Sequence, residues 1–176
     1  MKMKKLLIFA LTACLVFSLA ACSAGTANET QGSTAAGTTE PAVNEAFVFT
    51  YNGTKIQLHA NMAPILAALG EPKSYTESAS CAFEGLDKTY YYGSFYIDTY
   101  PMGEKDYVYD FWFADDSVAT AEGIYIGSTQ AQVEAAYGAE NYNGSNAYIV
   151  REGDGQLTVI LEEGVVTSIQ YSIVLS

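Results

Sequence analysis

From residue 47 onward the large apolar side chains recur at two spacings. Phe47-Val48-Phe49-Thr50-Tyr51 and Thr54-Lys55-Ile56-Gln57-Leu58 alternate apolar with polar around Asn52-Gly53. Alternation of period two, broken by a dipeptide that accepts positive φ at both turn positions, predicts a β-hairpin. The period then lengthens. Asn61-Met62-Ala63-Pro64-Ile65-Leu66-Ala67-Ala68-Leu69-Gly70 supplies an N-cap asparagine, a proline in the first turn and a closing glycine, so a helix is predicted over 62–69. Residues 23–45 are the opposite case. They hold almost no large apolar side chain and are rich in Gly, Ser and Thr, so they cannot bury enough surface to offset the entropy of folding. As a flexible coil this stretch would span roughly 25–30 Å.

The chain is similar to itself. At an offset of 68 residues, Ile56, Leu58, Asn61, Ile65, Ala67, Ala68, Leu69 and Gly70 fall on Ile124, Ile126, Thr129, Val133, Ala135, Ala136, Tyr137 and Gly138. Cap meets cap and apolar meets apolar, which predicts a second helix over 130–137. Further on, Phe95, Ile97, Val108, Phe111 and Phe113 correspond, at slightly different offsets, to Leu157, Val159, Val166, Ile169 and Tyr171. Each half therefore reads as strand, helix and three-stranded meander. The first half, 46–122, is longer than the second, 123–176, by the stretch Ser74 to Asp87.

Ile126-Gly127-Ser128-Thr129-Gln130-Ala131-Gln132-Val133-Glu134-Ala135-Ala136-Tyr137-Gly138 resembles the helix motif of the β-lactamase-inhibitor-protein-like fold, shared by small outer-membrane assembly lipoproteins of the SmpA/OmlA type. A degenerate copy occupies Leu58 to Pro72, so the resemblance covers 46–176. The tandem arrangement is similar to that of Gram-positive surface lipoproteins. The resemblance implies an α+β fold of two tandem units, each a short helical segment packed on one face of a curved antiparallel sheet whose other face is open. The motif encodes capping and packing, and no inhibitory residue carries over.

Strand parity sorts the meanders into faces. Val165, Ile169, Tyr171 and Ile173 point one way as core, and Ser168, Gln170 and Ser172 point the other. Transferred to the first half, this buries Tyr107, Phe111 and Phe113 with Phe95 and Ile97, and turns Tyr96, Asp98, Tyr100, Asp110 and Trp112 outward. These five are the candidate binding surface, because aromatic rings on an open face offer much contact area at little entropic cost. With the second half's register, Tyr96 sits opposite Asp110. A register displaced by two residues sets Asp98 opposite Asp110, where facing carboxylates could share a proton or hold a cation. In the alternative to an open face, Ser74 to Asp87 folds across it and makes a second core. Of Tyr90-Tyr91-Tyr92, at least one ring must face away from the core.

The N-terminus supplies an address. Lys2, Lys4 and Lys5 precede an apolar run from Leu6 to Leu19 that is too short for a mature membrane-spanning helix. Leu19-Ala20-Ala21-Cys22 then resembles a bacterial lipobox, which implies a signal peptide over 1–21, a lipid on the Cys22 thiol and a tether over 22–45. The expected location is the outer face of the cytoplasmic membrane. From Cys22 onward five basic residues stand against twenty acidic ones, a net charge of −15 that disfavours nucleic acid. With Cys14 removed and Cys22 lipidated, Cys81 has no disulfide partner and is expected to be a small buried apolar residue.

Residues that would carry catalysis are not arranged in any familiar pattern. The only histidine, His59, has nothing tying it to Cys81, and no phosphate-cradling loop, zinc-ligand spacing or serine-hydrolase elbow occurs. Expected is a monomeric binding protein for a protein or cell-wall ligand, with neither cofactor nor metal and no enzymatic activity. The alternatives are a cell-wall hydrolase using carboxylates of the first half, and a scaffold for an envelope complex.

Overall fold

The computed structural model describes residues 39–174. Residues 1–38, with the lipobox, Cys22 and most of the tether, lie outside the described residues, as do 175–176. Among the described residues no helix is long and apolar enough to cross a membrane.

Strands β1 (Val48–Tyr51) and β2 (Thr54–Gln57) form the expected hairpin. Its turn residues Asn52 and Gly53 have φ of 49° and 82°, the left-handed pair that a two-residue turn between right-twisted strands requires. Helix α1 (Met62–Leu69) follows, with Asn61 Oδ1 accepting from the Ala63 N–H at 3.0 Å. Four strands come next: β3 (Ser74–Ala79), β4 (Leu86–Tyr91), β5 (Phe95–Met102) and β6 (Lys105–Phe113). Helix α2 (Gln130–Tyr137) has a full capping box, in which Thr129 and Gln132 satisfy each other's backbone N–H groups. The chain ends on β7 (Ala147–Glu152), β8 (Gly155–Glu162) and β9 (Val165–Ile173).

All strands from β3 on join one antiparallel sheet of order β3-β4-β5-β6-β9-β8-β7. The hairpin and both helices contribute to a single core with it. Phe49, Ile56, Leu58, Met62, Ile65 and Val133 pack with Phe95, Ile97, Phe111, Leu157, Ile169 and Tyr171. The architecture is therefore α+β, dominated by antiparallel sheet.

The halves share fine detail. His59 N–H and Ala60 C=O bond the backbone of Val108, and Gly127 N–H and Ser128 C=O bond that of Val166 in the same pattern. Each last strand of a meander also carries one extra residue, Tyr109 in β6 and Thr167 in β9, opposite Asp98/Thr99 and Ile160/Leu161. That bulge overturns one expectation. Parity reverses at Thr167, so Val166 is buried in the core and Val165 is exposed. Leu69 and Tyr137, at the helix ends, are only partly buried, and Ile65 and Val133 take the core positions.

The segment Ser74 to Asp87 adds an edge strand, β3, whose six residues are all exposed. Only the bend after it curls over the sheet. The fold takes hold of the chain at Asn44, two residues ahead of the expected boundary at 46. Asn44 is buried, its N–H bonds Leu58 C=O at 3.0 Å, and its Nδ2 donates to Glu152 C=O and to Asp154 Oδ1. Gly155 makes room for it, since a Cβ there would meet Asn44 Nδ2 at 2.7 Å.

Candidate functional site

Register decides the face of the sheet turned away from the helices. Tyr96 pairs with Trp112 and Asp98 with Asp110, the displaced register of the two, so Tyr96 does not face Asp110. The bulge at Tyr109 absorbs the difference: Val108 and Phe111 both stay in the core although they are three residues apart.

Tyr90 and Tyr92 are buried, which leaves Tyr91 as the outward member of its triplet. Tyr91 pairs with Tyr96 across β4 and β5. Their rings stack at 4.3 Å, and Tyr96 stacks on Trp112 at 4.7 Å with planes 7° apart. Three aromatic side chains thus form a ladder over three strands, each half-buried by its neighbours. Stacking of this kind is worth about 0.5–1.5 kcal/mol per pair beyond area burial.

One step along the strands the row turns acidic. Asp98 and Asp110 face each other, and Asp87 lies two residues before Thr89, the cross-strand partner of Asp98. All three line a cleft of about 230 Å³, walled by Phe83, Tyr100 and Tyr109 and rimmed by Cys81 and Ala82. Asp98 and Asp110 also border a shallower groove that continues to Trp112, Ser168 and Gln170. Acidic cleft and aromatic ladder are therefore one continuous surface.

The carboxylates are poorly satisfied. Asp110 is only 8% exposed, and while its Oδ2 accepts from Gln170 Nε2 at 3.1 Å, its Oδ1 has no partner. Oδ1 of Asp98 and Oδ1 of Asp87 are likewise buried without partners. A buried acceptor left unpaired costs about 1–3 kcal/mol. Burial, and then the charge of Asp98, push the Asp110 carboxyl up to about 7 against the Gln170 hydrogen bond. Burial is also the main cause that raises Asp98, with the Asp87 charge adding to it and a Thr89 hydrogen bond opposing. In the second half the corresponding bulge carries Ile160 opposite Ser168, so the acidic pair belongs to the first half alone. Among the described residues no group of three or more His, Cys, Asp or Glu side chains is clustered to hold a metal ion.

Of the five candidate surface residues, Tyr96, Asp98 and Trp112 come together as a partly exposed surface, and Asp110 lines it from a buried position, 8% exposed. Tyr100 does not belong to its exposed part, being only 3% exposed. Phe83, on the bend after β3, packs its ring 4.6 Å from Tyr100, and Tyr107 and Tyr109 crowd the same ring. So the stretch from Ser74 to Asp87 covers one end of the face and leaves the Tyr96–Trp112 end uncovered. Cys81, expected to be buried, is exposed, because Phe83 takes the inward position in that bend.

Sequence assigns no part in this surface to Asp87, Phe83 or Tyr109, places Gln170 only on the outward face, and leaves His59 without a partner. Asp87 was within reach, since it shares parity with Tyr91 along β4. His59 was not. It adopts φ of 64° at the position where the second half has Gly127 with φ of 108°, a conformation that costs a non-glycine residue of order 1 kcal/mol. Its ring bridges the halves, with Nδ1 2.8 Å from the Tyr100 hydroxyl and Nε2 2.8 Å from Asp154 Oδ2. Burial acts to raise Asp154, but hydrogen bonds from Asn44 and His59 outweigh it and hold this carboxyl below its ordinary range. An ionised Asp154 can only accept, so Nε2 of His59 donates to it.

Comparison with known protein families, characterised proteins and solved structures returns no match for this chain.

Proposed function

We propose that this chain is a lipid-anchored, extracytoplasmic binding protein of a bacterial envelope, built from two tandem β-lactamase-inhibitor-protein-like units and using the outer sheet face of the first unit to hold a protein or cell-wall ligand. The duplication draws support from the matched bulges and the matched backbone bonds at His59/Ala60 and Gly127/Ser128. Anchoring rests on the lipobox ending at Cys22, and the Gly/Ser/Thr-rich residues behind it separate lipid from domain.

One observation carries the binding reading. Three aspartates with unpartnered buried oxygens adjoin a half-exposed Tyr91–Tyr96–Trp112 stack. Folding alone gains nothing from such an arrangement, which costs stability at every carboxylate; a ligand that supplies donors and covers the rings recovers that cost. The direct test is photocrosslinking of the anchored protein in its native envelope from a probe placed at Gln170, beside Trp112. A discrete adduct that disappears when Trp112→Ala is introduced is the expected result. An adduct pattern unchanged by that substitution removes the surface from consideration.

A second reading has its own support. A buried carboxyl near 7 facing a second carboxylate is the pattern of a general acid beside an ionised partner, as a cell-wall hydrolase would use. Turnover of envelope polymer with a bell-shaped pH profile, abolished in Asp110→Asn, would establish it; retention of intact polymer would not.

A further inference from the structure

We infer that the cleft between β4, β5, β6 and the bend over Ser80–Gly85 recognises a primary ammonium group at the end of an alkyl chain, the chemistry carried by a lysine side chain or a free alkylamine. The inference rests on the binding role proposed above and names the ligand class.

Three features select the ligand. The first is the supply of acceptors: Asp87, Asp98 and Asp110 each offer one buried oxygen without a partner on the same cleft. An ammonium carries three separate donors and no acceptor. A guanidinium asks for both oxygens of one carboxylate, whereas the second oxygen of Asp110 is already bonded to Gln170. The second feature is charge. Among the described residues lining the cleft there is no Lys, Arg or His to neutralise the aspartates, so their charge is met either by protons or by a cation that enters the cleft. Asp110, 8% exposed, is the group least able to have its charge met by water. The third is the wall. Phe83, Tyr100 and Tyr109 surround the cleft with rings, whose faces attract an organic cation and pack against its methylenes.

The titration of Asp110 bears on this, because the groups facing it are Asp98 on β5, Asp87 on β4 and the neutral Gln170 on β9, with Tyr109 on its own strand and the Cys81 rim across the cleft. The ammonium must displace the proton that burial and Asp98 favour, so affinity should rise with pH through about 7 and level off above it.

The test uses the full-length chain in non-ionic detergent and titration calorimetry with n-pentylamine, n-pentanol, and a hexapeptide bearing one lysine, unmodified or Nε-acetylated. Expected are binding of pentylamine at least tenfold tighter than pentanol, loss of at least tenfold in Asp110→Asn and in Asp98→Asn, and proton release on binding at pH 6. Melting curves of both variants establish that they are folded. A lysine peptide tenfold tighter than pentylamine assigns the ammonium to a peptide side chain, and equal affinities assign it to a free amine. Pentylamine no tighter than pentanol, an acetylated peptide as tight as the unmodified one, or folded variants with unchanged affinity would overturn the inference. If any of these occurs while the Trp112-dependent crosslink persists, the binding surface stands and only the ammonium fails; if the crosslink is also insensitive to Trp112→Ala, both fall.

Discussion

Asp110→Asn should make the protein more stable, and by an amount that depends on pH. The side chain is nearly isosteric, so the core beneath Phe111 is untouched, while a buried charge facing Asp98 is removed. The carboxyl titrates at about 7 in the fold against an ordinary 3.8. A group raised in this way contributes its full share below about 3.8, where both states are protonated, and loses it progressively as pH rises to about 7. Each pH unit in that window is worth about 1.4 kcal/mol, giving an upper figure of about 4 kcal/mol at pH 8. Relaxation and water entry reduce it, and about 2–3 kcal/mol is the working expectation. Asparagine keeps an acceptor for Gln170 Nε2, and its own amide can donate to the unpartnered Oδ1 of Asp98. Urea denaturation of both proteins from pH 4 to pH 8 reads the difference directly. The advantage of the variant should be near zero at pH 4, grow through pH 5 to 7, and then stay flat. A constant advantage across the range would show that the charge of Asp110 is not the cause. A variant less stable than the parent at pH 8 would mean that the carboxylate is already satisfied in solution.

Trp112→Ala should leave the fold intact, with a loss of about 1 kcal/mol for the stack on Tyr96, yet weaken ligand capture by about 2 kcal/mol; as the chain's only tryptophan, it should be quenchable by iodide in the free protein and protected by ligand, and a blue-shifted, unquenchable spectrum would contradict the surface. Phe49→Ala removes a ring within 5.0 Å of Phe95 and 4.9 Å of Phe113 and should cost about 3–5 kcal/mol in chemical denaturation; a loss below 1 kcal/mol would argue that the hairpin packs only loosely on the sheet. Cys22→Ala should abolish incorporation of radiolabelled fatty acid and release the protein from membranes, and unchanged labelling would refute the lipobox.

Local signals carried most of the fold. Asn52-Gly53, Asn61 with Gly70, and Thr129 with Gly138 act within a few residues of themselves, so both helices were legible to the residue and the hairpin to within one residue at its outer ends. The sheet was legible in outline, because the halves match at Phe95/Leu157 and Phe111/Ile169. What sequence could not supply is whatever depends on one extra residue. The bulge at Thr167 sent Val166 inward in place of Val165, and the one at Tyr109 admitted the register that sets Asp98 against Asp110. A period of two has no memory of a single insertion. The burial of Tyr100 was hidden for a different reason: Phe83 reaches it from a bend whose path no local pattern determines. His59 was invisible for a third, since a histidine in the left-handed region holds that shape through Tyr100 and Asp154, both remote in sequence.

The two halves of the sheet meet along only three residue pairs, Asp110 with Ser172, Phe111 with Tyr171 and Trp112 with Gln170. Along that joint inner and outer duties alternate: Phe111 stacks on Tyr171 at 4.6 Å within the core, and the residues on either side of it lie on the outer face proposed for binding. A breathing motion that parted β6 from β9 would therefore dismantle the outer face and breach the core in one event. On the proposed binding role, a ligand that spans Asp110, Trp112 and Gln170 would act as a latch on this joint, holding it shut by mass action. Amide exchange at Phe111 and Tyr171 should slow when the surface is filled, reporting occupancy from inside the molecule.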